Sequence, residues 1–364
     1  MSGMVLGACS SDEQPTVQKR RTLNLVVSSN NTLGTRALPE GFVPYNTLYE
    51  SMPSDAQIQG YLAKSGTETP IMGQFSFTDT DPGEGPLVRG WKAMMPIENN
   101  GTYYFYGFLP KEDVPNVSIA PYQSDYSKGA EITFTGLDAI SPADICVFVG
   151  VKGHTNGTDD INTLDMVSRL GKFDIQINED VNYAYLLANH IYCSLHFRMK
   201  VNEAYSRVRT IKVKQMKLLS NDGATTVKTV NAKVTLAATT DGTAPLQSVV
   251  IETNEMGQPD TPAMLFDNED EPCVLTTEFK NFRGFMAPAS NQTFMLQTIY
   301  DIYDRYGNLV RENCVAENKI NSSTVRGFSN PQTGDSFTID LSVKPSYLYQ
   351  LSEPDLDDPT FTLE

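Results

Sequence analysis

What most constrains this chain is a rhythm. Short runs of β-branched, aromatic and alternating apolar residues recur along it, separated by clusters of Gly, Asn, Asp, Ser and Pro. In Thr22-Leu23-Asn24-Leu25-Val26-Val27, residues Leu23, Leu25 and Val27 take every second position, which puts them on one face of a strand. Similar runs occupy 73–78, 102–109, 131–137, 144–151 and 172–177, then 209–218, 225–236, 247–253 and 293–304. Tyr103, Tyr104, Phe105, Tyr106 and Phe108 crowd one of them, and aromatics favour a pleated surface. Asp304-Arg305-Tyr306-Gly307-Asn308 reads as a hairpin turn into 309–314, and 337–343 and 359–364 read as closing strands. Short helices are expected only within 45–64, where Pro53 limits one, and at 161–170. The expected fold is all-β, with two β-sandwich domains in tandem.

Length supports two domains. The chain has 364 residues, and about 170 per domain remain after a leader and tether are set aside. The expected limits are 22–182 and 183–364, the second half containing the longest apolar-aromatic run, 186–201. A content of 40% hydrophobic and 20% charged residues suits a folded chain. No stretch approaches the roughly 20 apolar residues of a membrane helix. The net charge of −16, from 28 basic and 44 acidic residues, argues against a nucleic-acid partner, because phosphate binding is dominated by Lys and Arg. Acidic clusters such as 267–271 and 353–358 lack the spacing of an EF-hand loop and read as solvated turns.

Of five cysteines, Cys9 has a special setting. It follows Leu6-Gly7-Ala8 and precedes Ser10-Ser11-Asp12-Glu13, the small-small-Cys junction of a bacterial lipoprotein signal. On this reading 1–8 is a truncated signal, without a basic n-region, and the mature chain begins at Cys9 carrying acyl chains. The other reading is a chance tetrapeptide in a short tail. Residues 9–21 are polar and read as a tether. Cys146, Cys193, Cys273 and Cys314 form no CxxC pair; Cys146 and Cys193 read as small core residues, and disulfide pairing is not deducible.

Reactive constellations are scarce. The three histidines are His154, His190 and His196. His190 and His196 flank one apolar run, no suitable acid or thiol is near them in sequence, and a core or sheet-face role is expected. No metal and no cofactor are expected. There is no Gly-x-Ser-x-Gly, no HExxH and no phosphate-binding Gly loop, so the chain is not expected to be an enzyme. Carboxylates on separate strands remain a route to a glycoside hydrolase. Trp91 is the only Trp, and the tyrosines of 103–106 read as sheet residues more readily than as a sugar platform.

The order of features at the N-terminus carries functional content. A lipid site, a tether and one amphipathic strand are followed by a polar loop containing Arg36-Ala37. A trypsin-like cut at that bond would free the strand bearing Leu23, Leu25 and Val27. The groove left behind would expose unpaired backbone groups and accept a replacement strand, giving an open head-to-tail polymer. The plainer reading is an ordinary loop arginine.

These residues resemble the Bacteroides-type fimbrillins, the type V pilins, and their Mfa-like branch in particular. The resemblance is carried by Leu6-Gly7-Ala8-Cys9, by 22–27 followed by Thr35-Arg36-Ala37, by 186–199 with His190, by Phe285-Met286-Ala287-Pro288 and by 302–308. It implies transthyretin-like, Greek-key sandwiches and export as a lipoprotein to the outer membrane and cell surface. It further implies cleavage at Arg36–Ala37 and donor-strand exchange with other fimbrial subunits into an adhesive fimbrium. Cys9 is then the lipid site, and Leu23, Leu25 and Val27 lie on the displaced strand. The segment after Val343 is short and acidic for a donor, which leaves stalk, tip and anchor roles open. The rival is a surface glycan-binding lipoprotein with an exposed aromatic platform. The adhesive ligand, on a host or bacterial surface, is not readable.

Overall fold

A computed structural model describes residues 23–29, 57–66, 69–80, 88–93, 100–109, 116–152, 175–177, 183–220, 227–238, 246–257, 262–289, 293–347 and 354–363. Almost everything described is strand, in four sheets, and the fold is the expected all-β one. One α-helix, α1 (Glu203–Ser206), interrupts it, started by Asn202, whose side chain accepts from the Ala204 amide.

The largest sheet holds β1 (Leu23–Ser29), β2 (Gln57–Lys64), β3 (Ile71–Thr80), β4 (Val88–Ala93), β5 (Gly101–Leu109), β9 (Cys146–Lys152), β10 (Ile175–Ile177) and β11 (Tyr183–His190). Its order is β10-β5-β2-β3-β4-β1-β11-β9. β5 also pairs β9, Tyr106 opposite Val149 and Leu109 opposite Cys146. The path from β5 through β2, β3, β4, β1, β11 and β9 therefore returns to its start. A second sheet runs β15 (Leu246–Met256), β14 (Val227–Ala237), β7 (Gly129–Asp138), β6 (Val117–Pro121). Between these two sheets lies one core, with Tyr104, Tyr106 and Phe108 of β5 facing Ile132 and Phe134 of β7 and Val234 and Leu236 of β14. The aromatic run is buried on its other face too: Phe105 is fully buried, as are Ile58 of β2 and Phe148 of β9. Each such side chain contributes about 2–3 kcal/mol by leaving water.

The third sheet runs β22 (Pro354–Leu363), β21 (Ser336–Tyr347), β12 (Cys193–Val201), β18 (Lys280–Met286), β8 (Ile140–Ser141). The fourth runs β16 (Ala263–Asp267), β13 (Arg209–Ser220), β19 (Phe294–Asp304), β20 (Leu309–Ile320), with β17 (Cys273–Val274) also on β13. Their inner faces share a second core: Leu195, Phe197 and Met199 with Phe337, Ile339 and Leu341 against Ile211, Val213, Leu296 and Ile302.

The chain crosses between the two bodies more than once. β14 pairs β7, and β8 pairs β18, Phe285 opposite Ser141. The apolar run 186–201 is therefore not one strand. It breaks at Ile191–Tyr192, because the Ile191 amide donates to the Ile145 carbonyl at 2.8 Å and both side chains are fully buried in the first core. The run then re-enters the other sheet as β12. The helix expected within 45–64 is strand from Gln57 onward, since Ile58, Leu62 and Tyr61, Ala63 bury on opposite faces. The part before Gln57, and the helix expected at 161–170, lie outside the described residues. The 304–308 turn forms as expected: Asp304 accepts from the amides of Tyr306 and Asn308, and Gly307 takes φ 86.

Candidate functional site

The strand bearing Leu23, Leu25 and Val27 is β1, and it is paired along both edges. Against β4 it runs antiparallel, Leu23 opposite Ala93 and Leu25 opposite Trp91. Against β11 it runs parallel, Asn24 opposite Tyr183 through Ser29 opposite Ala188. β1 thus closes the circuit between β4 and β11, and it precedes every other described strand in the chain. Arg36 and Ala37 fall between Ser29 and Gln57, and with Cys9 they lie outside the described residues.

The far end of the chain lies at an edge. β22 pairs only β21 in its sheet, Leu363 opposite Leu341 and Phe361 opposite Val343. Phe361 is anchored: its ring is 4.8 Å from that of Tyr300, and its carbonyl accepts from Asn318 Nδ2 at 2.6 Å.

A second cluster stands where the bodies meet. His190 ends β11, Cys146 begins β9 directly opposite it, and Asp144 lies just before, in the link from β8. All three are buried. His190 Nδ1 is 2.8 Å from Asp144 Oδ2, Cys146 Sγ is 3.0 Å from the same oxygen, and Sγ is 3.1 Å from Nδ1. Burial, reinforced by the Asp144 charge, pushes the Cys146 thiol well above its usual range. A nucleophilic relay needs the imidazole to reach thiol and carboxylate through different nitrogens and a substrate to reach the thiol. Here Nδ1 faces both, and Cys146 is fully buried.

His196 shares no strand with His190. It lies on β12, half-buried, opposite Arg283. Burial first, then Arg283 and Arg198, hold its pKa below the usual 6.5. The thiol nearest His190 in sequence, Cys193, is not its partner; the fold brings an acid and a thiol from β9 and the link before it. Only pairing β9 with β11 would have revealed them. Cys146 and Cys193 are core residues as expected, and Cys146, Cys193, Cys273 and Cys314 are all free thiols.

One cleft of about 680 Å³ opens between the first two sheets, lined by Lys64, Tyr104, Pro121, Asp125 and Tyr126. Tyr104 and Tyr126 are only 8% and 6% exposed, so the cleft has no open aromatic platform among the described residues.

No family model and no curated protein matches the chain. Solved structures do. A provisional cell adhesion protein from Bacteroides fragilis aligns over 94% of this chain and 97% of its own, at 9% identity and a TM-score of 0.44. Another from Bacteroides uniformis aligns over 94% and 98%, at 10% identity and a TM-score of 0.38. The fimbrial anchor protein Mfa2 from Porphyromonas gingivalis aligns over 94% and 95%, at 8% identity and a TM-score of 0.28. These neighbours are described as cell adhesion and fimbrial proteins.

Proposed function

We propose that this chain is a fimbrial subunit of the Mfa-like kind, a structural adhesin and not an enzyme. It is exported as a lipoprotein on Cys9 to the outer membrane and cell surface, cut at Arg36–Ala37, and joined to other subunits by donor-strand exchange. The observation that carries this reading is the place of β1. An N-terminal strand paired on both edges, with a basic residue in the link behind it, can leave without drawing any other strand with it. Its departure would open two ladders at once, and each buried backbone group left unpaired costs about 1–3 kcal/mol. A strand from a neighbouring subunit would recover those bonds. The domain limits of 22–182 and 183–364 enter the proposal as two cores, with β11 and the β14–β15 hairpin lent to the first.

The C-terminal strand offers two roles. As the outermost strand of its sheet, β22 must break one ladder, to β21, and the contacts of Phe361 with Asn318 and Tyr300 to become a donor. If it stays, held by Phe361, the subunit is a tip or an anchor. For a glycan-binding lipoprotein the cleft would have to present its rings, and of those described there Tyr104 and Tyr126 are both buried.

The test is the N-terminal sequence and assembly state of protein extracted from the cell surface. A start at Ala37 in SDS-resistant ladders supports the polymer. An uncut monomer beginning at lipidated Cys9 overturns it.

A further inference from the structure

We propose that Asp144, Cys146 and His190 form a zinc site at the junction of the two cores. Three ligand atoms of different chemistry, Oδ2, Sγ and Nδ1, converge from the β8–β9 link, the start of β9 and the end of β11, with all three side chains buried. Thiolate, imidazole and carboxylate are the ligands zinc takes in proteins. Among the described residues no fourth His, Cys, Asp or Glu joins them, so water or a backbone carbonyl takes the fourth position.

Two physical arguments favour an ion. The first is charge. A divalent cation with one thiolate, one carboxylate and one neutral imidazole is neutral overall, the cheapest state for a buried ionic group. The second is size. Bonds of about 2.3 Å to sulfur and about 2.0–2.1 Å to nitrogen and oxygen, at tetrahedral angles, separate ligand atoms by about 3.3–3.6 Å. The separations here are 2.8, 3.0 and 3.1 Å, so an ion enters if each side of the triad widens by about half an ångström. Binding must displace the Cys146 proton, and apparent affinity therefore falls about tenfold per pH unit below the thiol pKa. The bound ion would tie the end of β11, the strand that borders β1, to β9.

The competing arrangement is a metal-free triad in which thiol and imidazole both donate to Asp144. The experiment uses the untagged full chain, stripped with a chelator and dialysed against Zn²⁺ and, separately, Co²⁺. The expected result is one zinc per folded chain and a thiolate-to-cobalt charge-transfer absorption. Zinc affinity should fall at least about tenfold in Cys146→Ser, His190→Gln and Asp144→Asn, while Cys273→Ser keeps it. Zinc should also raise Tm by about 3–4 °C at a hundredfold excess over Kd. Substoichiometric zinc, equal retention by the three variants, or a cobalt spectrum without the thiolate band would overturn the proposal. If the variants fail to fold, the cobalt spectrum of the unmodified chain decides alone. None of these results depends on cleavage or polymerisation.

Discussion

Single residues show where the backbone leaves no room. Gly129 opens β7 with φ 135, and a Cβ there would lie 1.9 Å from the Leu236 carbonyl oxygen, in the strand it pairs with. Both the conformation and the contact exclude a side chain, so Gly129→Ala should cost about 3 kcal/mol or more in urea unfolding. His196 makes a pH prediction. Its folded pKa lies below 6.5, chiefly through burial and then through Arg283 and Arg198. Between that lowered value and about 6.5 the unfolded chain takes up a proton that the fold refuses, so stability is full above about 6.5 and declines as pH falls through the folded pKa. His196→Gln should flatten the change in urea midpoint between about pH 7.5 and about pH 5; an unaltered slope would assign that acid sensitivity elsewhere. At this scale the sequence was legible where residues act with their neighbours. The Asp304 turn and the small core cysteines were readable. The Asp144–Cys146–His190 cluster was not, because its members meet only through the pairing of β9 with β11.

Elements were legible in proportion to their own patterning. β1, β5, β7, β13 and β19 carry alternation or aromatic density and were readable from it. β4 and β16 are short, and β6 alternates only weakly, so local composition gave little sign of them. β11 and β12 merged into one run because the sequence is apolar and aromatic across both, and the bend between them is fixed by bonds to distant residues, the Ile145 carbonyl and, through the Tyr192 hydroxyl, the Asp138 carbonyl. Phe361 makes β22 the element whose role is easiest to probe. It is 7% exposed in the second core, and Phe361→Ala should cost about 3 kcal/mol by thermal or urea unfolding. If β22 is the donor, the same change should also weaken SDS-resistant ladders; intact ladders from a destabilised monomer would remove it from that role.

The whole molecule is less divisible than its length suggests. Residues 1–182 lack β11, which borders both β1 and β9, and β14, which borders β7. A fragment ending at 182 should therefore show no cooperative unfolding transition by circular dichroism, while the full chain does. A sharp transition in the fragment would mean that the first core closes without its borrowed strands. The two-body plan was legible from length and strand rhythm; the lending of strands was not, since it rests on contacts far apart in sequence. The place of β1 also has a consequence in time. Its parallel partner begins about 160 residues later in the chain, at Tyr183. A chain made N-terminus first must therefore hold β1 in waiting until β11 arrives, and closing so long a loop is slow. The first of the described strands is among the last to find its seat, and a seat that stays vacant so long during folding is one that another chain has time to reach.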